Sequence, residues 1–288
     1  MEPTPLERAP ASIAGGRDVW LKREDVHELG AFKWRGALPT LERWSSDVVT
    51  ASTGNHGAAT AWAAKRLGVH ATVFVPEQAS ATKLALLERW EADVRQVGAD
   101  LDEAKDAARA FAEERGLPFF EDGVEPAQYE GYAAIGEEIR AVIDPAVVVV
   151  PVGNGALLIG VSRGLAPGAR TVGVAAAAAP VMADSWHARG VVESASSETI
   201  ADGLAVRVAI PQAVEALQSA ADDMLLVTEL ELMRAVVAYD DAGIRAEAAA
   251  AAAVAALPQV TTEGSIVLIV TGRNIDDALL ARCRATLP

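Results

Sequence analysis

Lys33 stands in the run Gly30-Ala31-Phe32-Lys33-Trp34-Arg35-Gly36-Ala37, and Ser52-Thr53-Gly54-Asn55-His56-Gly57 follows after a short gap. A lysine set among aromatic and small residues can lose its hydration, which favours the neutral, nucleophilic amine. A glycine-rich turn between an apolar strand and a helix offers backbone N–H groups to an anion. The two together point to Schiff-base chemistry beside a carboxylate or phosphate site.

A second glycine-bearing turn, Gly153-Asn154-Gly155-Ala156-Leu157, follows the apolar run 147–152 and precedes a helical stretch. Small residues there would let N–H groups approach a phosphate, although taken alone it reads equally as an ordinary strand-to-helix turn. It is not a dinucleotide fingerprint, because Leu158 stands where the third glycine belongs and no acidic residue follows about twenty positions on. No Gly-Lys-Ser/Thr occurs, so phosphate-loop chemistry has no basis here. His27, His56, His70 and His187 form no i, i+4 pair, so no metal site is expected. Of the four, only His56 lies in a turn that could meet a substrate.

The elements that must position these residues alternate. Strands are expected over 19–22, 47–51, 70–75, 93–97, 146–150, 171–175, 224–227 and 266–270. Helices are expected over 55–67, 79–90, 102–115, 131–142, 156–165, 211–219, 229–239, 247–257 and 275–286. Strand–helix alternation implies an α/β fold with parallel sheets covered on both faces, and runs such as Val147-Val148-Val149-Val150 suit strands buried on both sides. Thr228 and Glu231 have capping-box spacing at a helix start. The informative turns all follow strands, where doubly wound sheets bind ligands.

The chain has 288 residues, enough for about two domains. It is 51% hydrophobic but only 5% aromatic, so Ala, Val and Leu must build the core. The formal net charge of -15, with no basic run, argues against nucleic-acid binding. Cys283 is the single cysteine, which excludes an intramolecular disulfide and fits a reducing compartment. No signal peptide is expected from the proline-containing start. The longest apolar tract, 248–257, is too short to span a bilayer. A soluble cytoplasmic protein without a membrane partner is expected.

In this order the motifs resemble fold type II pyridoxal-phosphate enzymes of the threonine dehydratase/serine racemase group. The matching runs are Leu21-Lys22-Arg23-Glu24-Asp25, the Lys33 and Ser52 runs, Val150 through Leu157, Thr199-Ile200-Ala201-Asp202-Gly203-Leu204-Ala205-Val206 and Thr271-Gly272-Arg273-Asn274. The resemblance implies a tryptophan-synthase-β-like fold of two three-layer domains with mostly parallel sheets. A large cofactor-binding domain would comprise residues 1–44 and 127–288, and a small mobile domain residues 45–126. It implies pyridoxal 5'-phosphate as cofactor, an amino-acid substrate and a homodimer. The loss of a C-terminal regulatory domain is also expected.

The roles implied by the resemblance are these. Lys33 would hold the cofactor covalently and later remove the substrate Cα proton, with Phe32 and Gly203 beside the cofactor. Asn55 would bind the ring hydroxyl, and Gly153, Asn154, Gly155, Ala156 and Leu157 would receive the phosphate. Ser52, Thr53, Asn55 and His56 would surround the substrate carboxylate. Thr271 would meet the ring nitrogen; a neutral hydroxyl there makes a weaker electron sink than a carboxylate, which favours loss of a β-substituent.

Four departures bear on specificity. Asn154 and Ala156 replace two glycines of the family's phosphate loop. Gly131-Tyr132-Ala133-Ala134 replaces its Gly-Gln-Gly-Thr, which makes Tyr132 a candidate substrate contact. Thr53 replaces the serine acid of racemases and disfavours racemisation while staying a candidate catalytic residue. The run 174–179 lacks the acidic metal ligands of some relatives. The expected activity is a dehydratase, or ammonia-lyase, acting on threonine, serine or a related β-hydroxy amino acid. A β-replacement synthase and a non-catalytic cofactor-binding homologue are the alternatives.

Overall fold

The structure is a computed structural model that describes residues 2–193 and 197–286. Contacts divide it into two compact units, Met1–Ala31 with Tyr132–Pro288, and Phe32–Gly131.

The first unit is built on a six-stranded sheet of β1 (Leu6–Arg8), β2 (Val19–Arg23), β6 (Val147–Pro151), β7 (Arg170–Ala176), β8 (Asp223–Val227) and β9 (Ile266–Val270). Their order is β1-β2-β9-β6-β7-β8, with β1 antiparallel and the rest parallel. The central strands β6 and β9 are buried along their whole length, as their uninterrupted apolar sequences require. Val147 and Val149 join one core cluster with the alanines of helix Ala248–Ala255. Alternate strand residues face the other way, where a Cβ on Gly173 would lie 3.0 Å from Leu158 in helix Ala156–Gly164. The phosphate-loop candidate sits between β6 and that helix.

The second unit carries the parallel sheet β3 (Val48–Ala51), β4 (Ala71–Val75) and β5 (Asp93–Gln96), in that order. Val49 and Phe74 pack on Ala104, Ala108 and Ala112 of helix Leu101–Arg115. Helix Asn55–Leu67 packs closely too: a Cβ on Gly57 would lie 3.2 Å from Val73. Residues 118–120 extend the sheet beside β3. Val49 N–H donates to the Pro118 carbonyl at 3.0 Å, and Phe120 N–H donates to the Val49 carbonyl at 2.7 Å.

The expected α/β architecture with mostly parallel sheets is present, as is each expected strand and helix. Strand β1 and helices Ala11–Ala14, Trp34–Trp44 and Val181–Ala188 are additions to it. Helix Trp34–Trp44 contains Pro39, which ordinarily argues against a helix interior because it withdraws one N–H from the ladder. The carbonyl thereby left without its helical donor belongs to Arg35. Gly131 packs on that carbonyl so closely that a Cβ would stand 1.8 Å from the oxygen. Gly131 thus lies close against the helix beside Pro39, and Lys33 stands at its N-cap position. Among the described residues, no helix is long and apolar enough to cross a membrane.

Candidate active site

In the Phe32–Gly131 unit, the turn after β3 is fixed before any ligand is considered. Gly54 N–H donates to Ser52 Oγ at 3.2 Å, and a Cβ on Gly57 would strike the Ser52 carbonyl at 2.5 Å. Ser52, Thr53 and Asn55 are half-buried there, and Asn55 is the first residue of its helix. His56 is 6% exposed. Its Nε2 lies 3.1 Å from the Phe120 carbonyl, so the neutral ring carries its hydrogen on Nε2 and turns the Nδ1 lone pair outward. The ring also stands edge-on to Phe120, with centroids 4.5 Å apart.

The Nζ of Lys33, whose side chain is 14% exposed, lies 2.5 Å from Oδ2 of Asp122 and 5.1 Å from the centre of the Phe32 ring. The other oxygen of Asp122 accepts from Gln128 Nε2 at 3.1 Å and faces His56 Nδ1 at 3.5 Å. Gln128 is itself fixed by accepting from Gly123 N–H at 2.9 Å. Burial pushes the Asp122 carboxyl up, but the charge of Lys33, then His56, and hydrogen bonds from Lys33 and Gln128 outweigh it and hold the pKa at about 2. Burial pushes the His56 imidazole below its ordinary 6.5, and Asp122 only partly opposes this while the Lys33 charge adds to it.

Lys33, Ser52, Thr53, Asn55 and His56 thus lie in one unit, with Asp122 added. Sequence reasoning passed over Asp122 and Gln128. The available signal was Phe119-Phe120-Glu121-Asp122-Gly123, an apolar pair running into acids and a glycine, as at the end of a strand.

The other unit holds the remaining candidates. Gly153 approaches the 202–204 turn so closely that a Cβ would lie 2.3 Å from the Gly203 carbonyl, and Gly203 in turn abuts Ala249. Gly155 has φ +92, a conformation L side chains rarely adopt, and it starts the helix. The N–H groups of Leu157 and Leu158 point out of the helix start without intrahelical acceptors. That of Ala156 donates to Asn154 Oδ1 at 3.1 Å. Glycine at both crowded positions and orphan N–H groups at a helix N-terminus fit a phosphate.

Thr271, which follows β9, is buried, and its hydroxyl donates to Glu247 Oε1 at 3.1 Å. Glu247 N–H bonds the Gly272 carbonyl at 2.9 Å, which ties the start of the alanine helix to the same turn. A carboxylate therefore stands behind the hydroxyl. Tyr132 is 0% exposed, within helix Pro126–Arg140. Among the described residues no group of three or more His, Cys, Asp or Glu side chains comes together to hold a metal ion.

Comparison with known proteins gives the following. The family model described as pyridoxal-phosphate dependent enzyme matches residues 1–272. The L-threonine ammonia-lyase of Geobacter sulfurreducens is 34% identical over 91% of this chain and 68% of its own length. The processed form of threonine deaminase isoform 2 from Solanum lycopersicum superposes with TM-score 0.91 at 30% identity, covering 98% of this chain and 87% of that one. Maize serine racemase superposes with TM-score 0.89 at 25% identity, covering 98% and 92%.

Proposed function

This chain belongs to the pyridoxal-phosphate dependent enzyme family, as a fold type II lyase of the threonine dehydratase group, and we propose that it removes water from L-threonine, L-serine or a related β-hydroxy amino acid to give a 2-keto acid and ammonia. The observation that carries the reading is the placement of Lys33: a largely buried amine at a helix N-cap, held by a carboxylate 2.5 Å away.

Lys33 would hold the cofactor, with Phe32 and Gly203 beside it. Gly153, Asn154, Gly155, Ala156 and Leu157 would receive its phosphate, Asn55 its ring hydroxyl and Thr271 its ring nitrogen. When bound, pyridoxal phosphate withdraws electron density from the substrate Cα and makes its proton removable. The freed amine of Lys33 then takes that proton. Ser52, Thr53 and Asn55 orient the substrate carboxylate at the N-terminus of helix Asn55–Leu67, where His56 contributes its backbone N–H and the helix dipole favours an anion. The crowded Gly57 turn keeps these donors in place without rearrangement. The reading includes a small domain, residues 45–126, whose movement excludes water. It also includes a cytoplasmic homodimer.

A keto-acid and ammonia assay over a panel of β-hydroxy amino acids, including larger and acidic ones, tests the reading. The expected result is turnover of at least one of them by protein with a visible cofactor band. Ammonia release that survives Lys33→Ala, or protein that takes up no cofactor, would overturn it. A new amino acid formed on adding a thiol would assign the chain to β-replacement instead.

A further inference from the structure

We propose that Asp122, oriented by Gln128 and backed by His56, is the positioning residue that receives the charge of Lys33 when its amine takes the Cα proton, an inference that rests on the dehydratase reading above.

An amine that acts as a base must be neutral before the step and cationic after it. Lys33 is largely buried, so the cation would be costly there without a compensating anion. Asp122 supplies that anion through a charge-assisted bond to the reacting nitrogen itself. Gln128 holds the carboxylate from the far side, and its own position is set by Gly123.

The second oxygen of Asp122 gives His56 a part. With its hydrogen donated from Nε2 to the Phe120 carbonyl, neutral His56 turns the lone pair of Nδ1 toward Asp122 at 3.5 Å. Two acceptors facing each other repel unless a proton lies between them. While Lys33 is cationic, its charge satisfies Asp122 and opposes a proton on His56. Once Lys33 is neutral that opposition is gone, and the same carboxylate favours a proton on Nδ1 against the burial of the ring. Burial acts most strongly on His56 and favours the neutral ring, the Lys33 charge adds to it, and Asp122, the Phe120 carbonyl and Glu121 oppose it. One carboxylate therefore faces two basic nitrogens, and a charge on one opposes a proton on the other.

The elimination balances within this set. The C–H bond at Cα breaks and an N–H bond forms at Lys33 Nζ. The electron pair forms the Cα–Cβ double bond as the Cβ–O bond breaks, and the leaving hydroxide takes a proton from the Lys33 ammonium, whose N–H bond breaks to return the neutral amine, and departs as water. No proton is needed from solvent.

The test has one arm on cofactor-free protein and one on holoenzyme. By NMR of the His56 ring without cofactor, Lys33→Ala is expected to raise the pH at which His56 titrates, Asp122→Asn to lower it, and Asp122→Glu to restore it. The Lys33→Ala measurement stands by itself if Asp122→Asn fails to fold. In holoenzyme, Asp122→Asn is expected to slow exchange of the substrate Cα hydrogen with deuterated solvent by roughly tenfold or more, with little change in KM and partial rescue by Asp122→Glu. A His56 titration unmoved by Lys33→Ala, or wild-type exchange in Asp122→Asn, overturns the inference and leaves the dehydratase reading standing. A His56 that responds as expected, in protein that deaminates no β-hydroxy amino acid, overturns the dehydratase reading and the elimination role with it, leaving only the charge coupling.

Discussion

A Cβ atom on Gly153 would lie 2.3 Å from the carbonyl oxygen of Gly203, so the phosphate-loop candidate and the 202–204 turn meet backbone to backbone. Gly153→Ala must push the two apart. Overpacking of this kind costs about 1–3 kcal/mol. A lower midpoint in chemical denaturation is expected, together with cofactor affinity weakened by roughly tenfold or more, read by absorbance titration. Unchanged affinity would show that the loop does not receive the phosphate.

Asn154 presents the opposite case. Its Oδ1 already accepts the Ala156 N–H that the loop would offer to a phosphate. Asn154→Ala releases that donor, and one added hydrogen bond of about 1 kcal/mol corresponds to roughly fivefold tighter binding. Calorimetric titration with the cofactor and with inorganic phosphate checks this. Weaker binding of both would mean that the Asn154 side chain grips the anion itself.

The charge cluster at Lys22 is structural. Lys22 is 0% exposed, 2.5 Å from Glu138 and 3.4 Å from an equally buried Glu24, and it donates to the Thr4 carbonyl at 2.8 Å. Lys22→Met leaves two carboxylates without their cation, which costs about 3–5 kcal/mol. Urea denaturation measures the loss, and adding Glu24→Gln and Glu138→Gln together is expected to recover part of it.

His56 and Asp122 give stability two separate acid-sensitive windows. The folded value of His56 lies below 6.5, so the unfolded chain binds that proton first and stability falls as pH drops below about 6.5. Asp122 is held down from 3.8 to about 2, so its contribution is present above 3.8 and is lost as pH falls through the interval down to about 2. Denaturation midpoints across pH are expected to flatten in the upper window for His56→Gln and in the lower one for Asp122→Asn.

Much of this was legible in the sequence. Helix Asn55–Leu67 has the bounds expected of it: a glycine turn precedes it, and in the structure Gly68 closes it in a left-handed C-cap. The Thr228–Glu231 spacing forms both halves of its capping box. Helix Trp34–Trp44 was not legible, since Pro39 in its interior argues locally against a helix. Strand β1 escaped because Leu6-Glu7-Arg8 is a short edge strand with two exposed members. Asp122 escaped because its place depends on residues 118–120 joining the edge of β3, a long-range pairing with no local period.

Helix Ala248–Ala255 presents almost nothing but methyl groups to its surroundings. A cylinder with so uniform a surface has little to tell one rotation about its axis from another. Its angular setting must therefore be indexed at one end, and Glu247 does this by bonding the Gly272 carbonyl with its N–H and the Thr271 hydroxyl with its carboxylate. Substitution at Glu247 would let the helix turn in its seat, and Ala249 and the adjoining Gly203 turn would move with it.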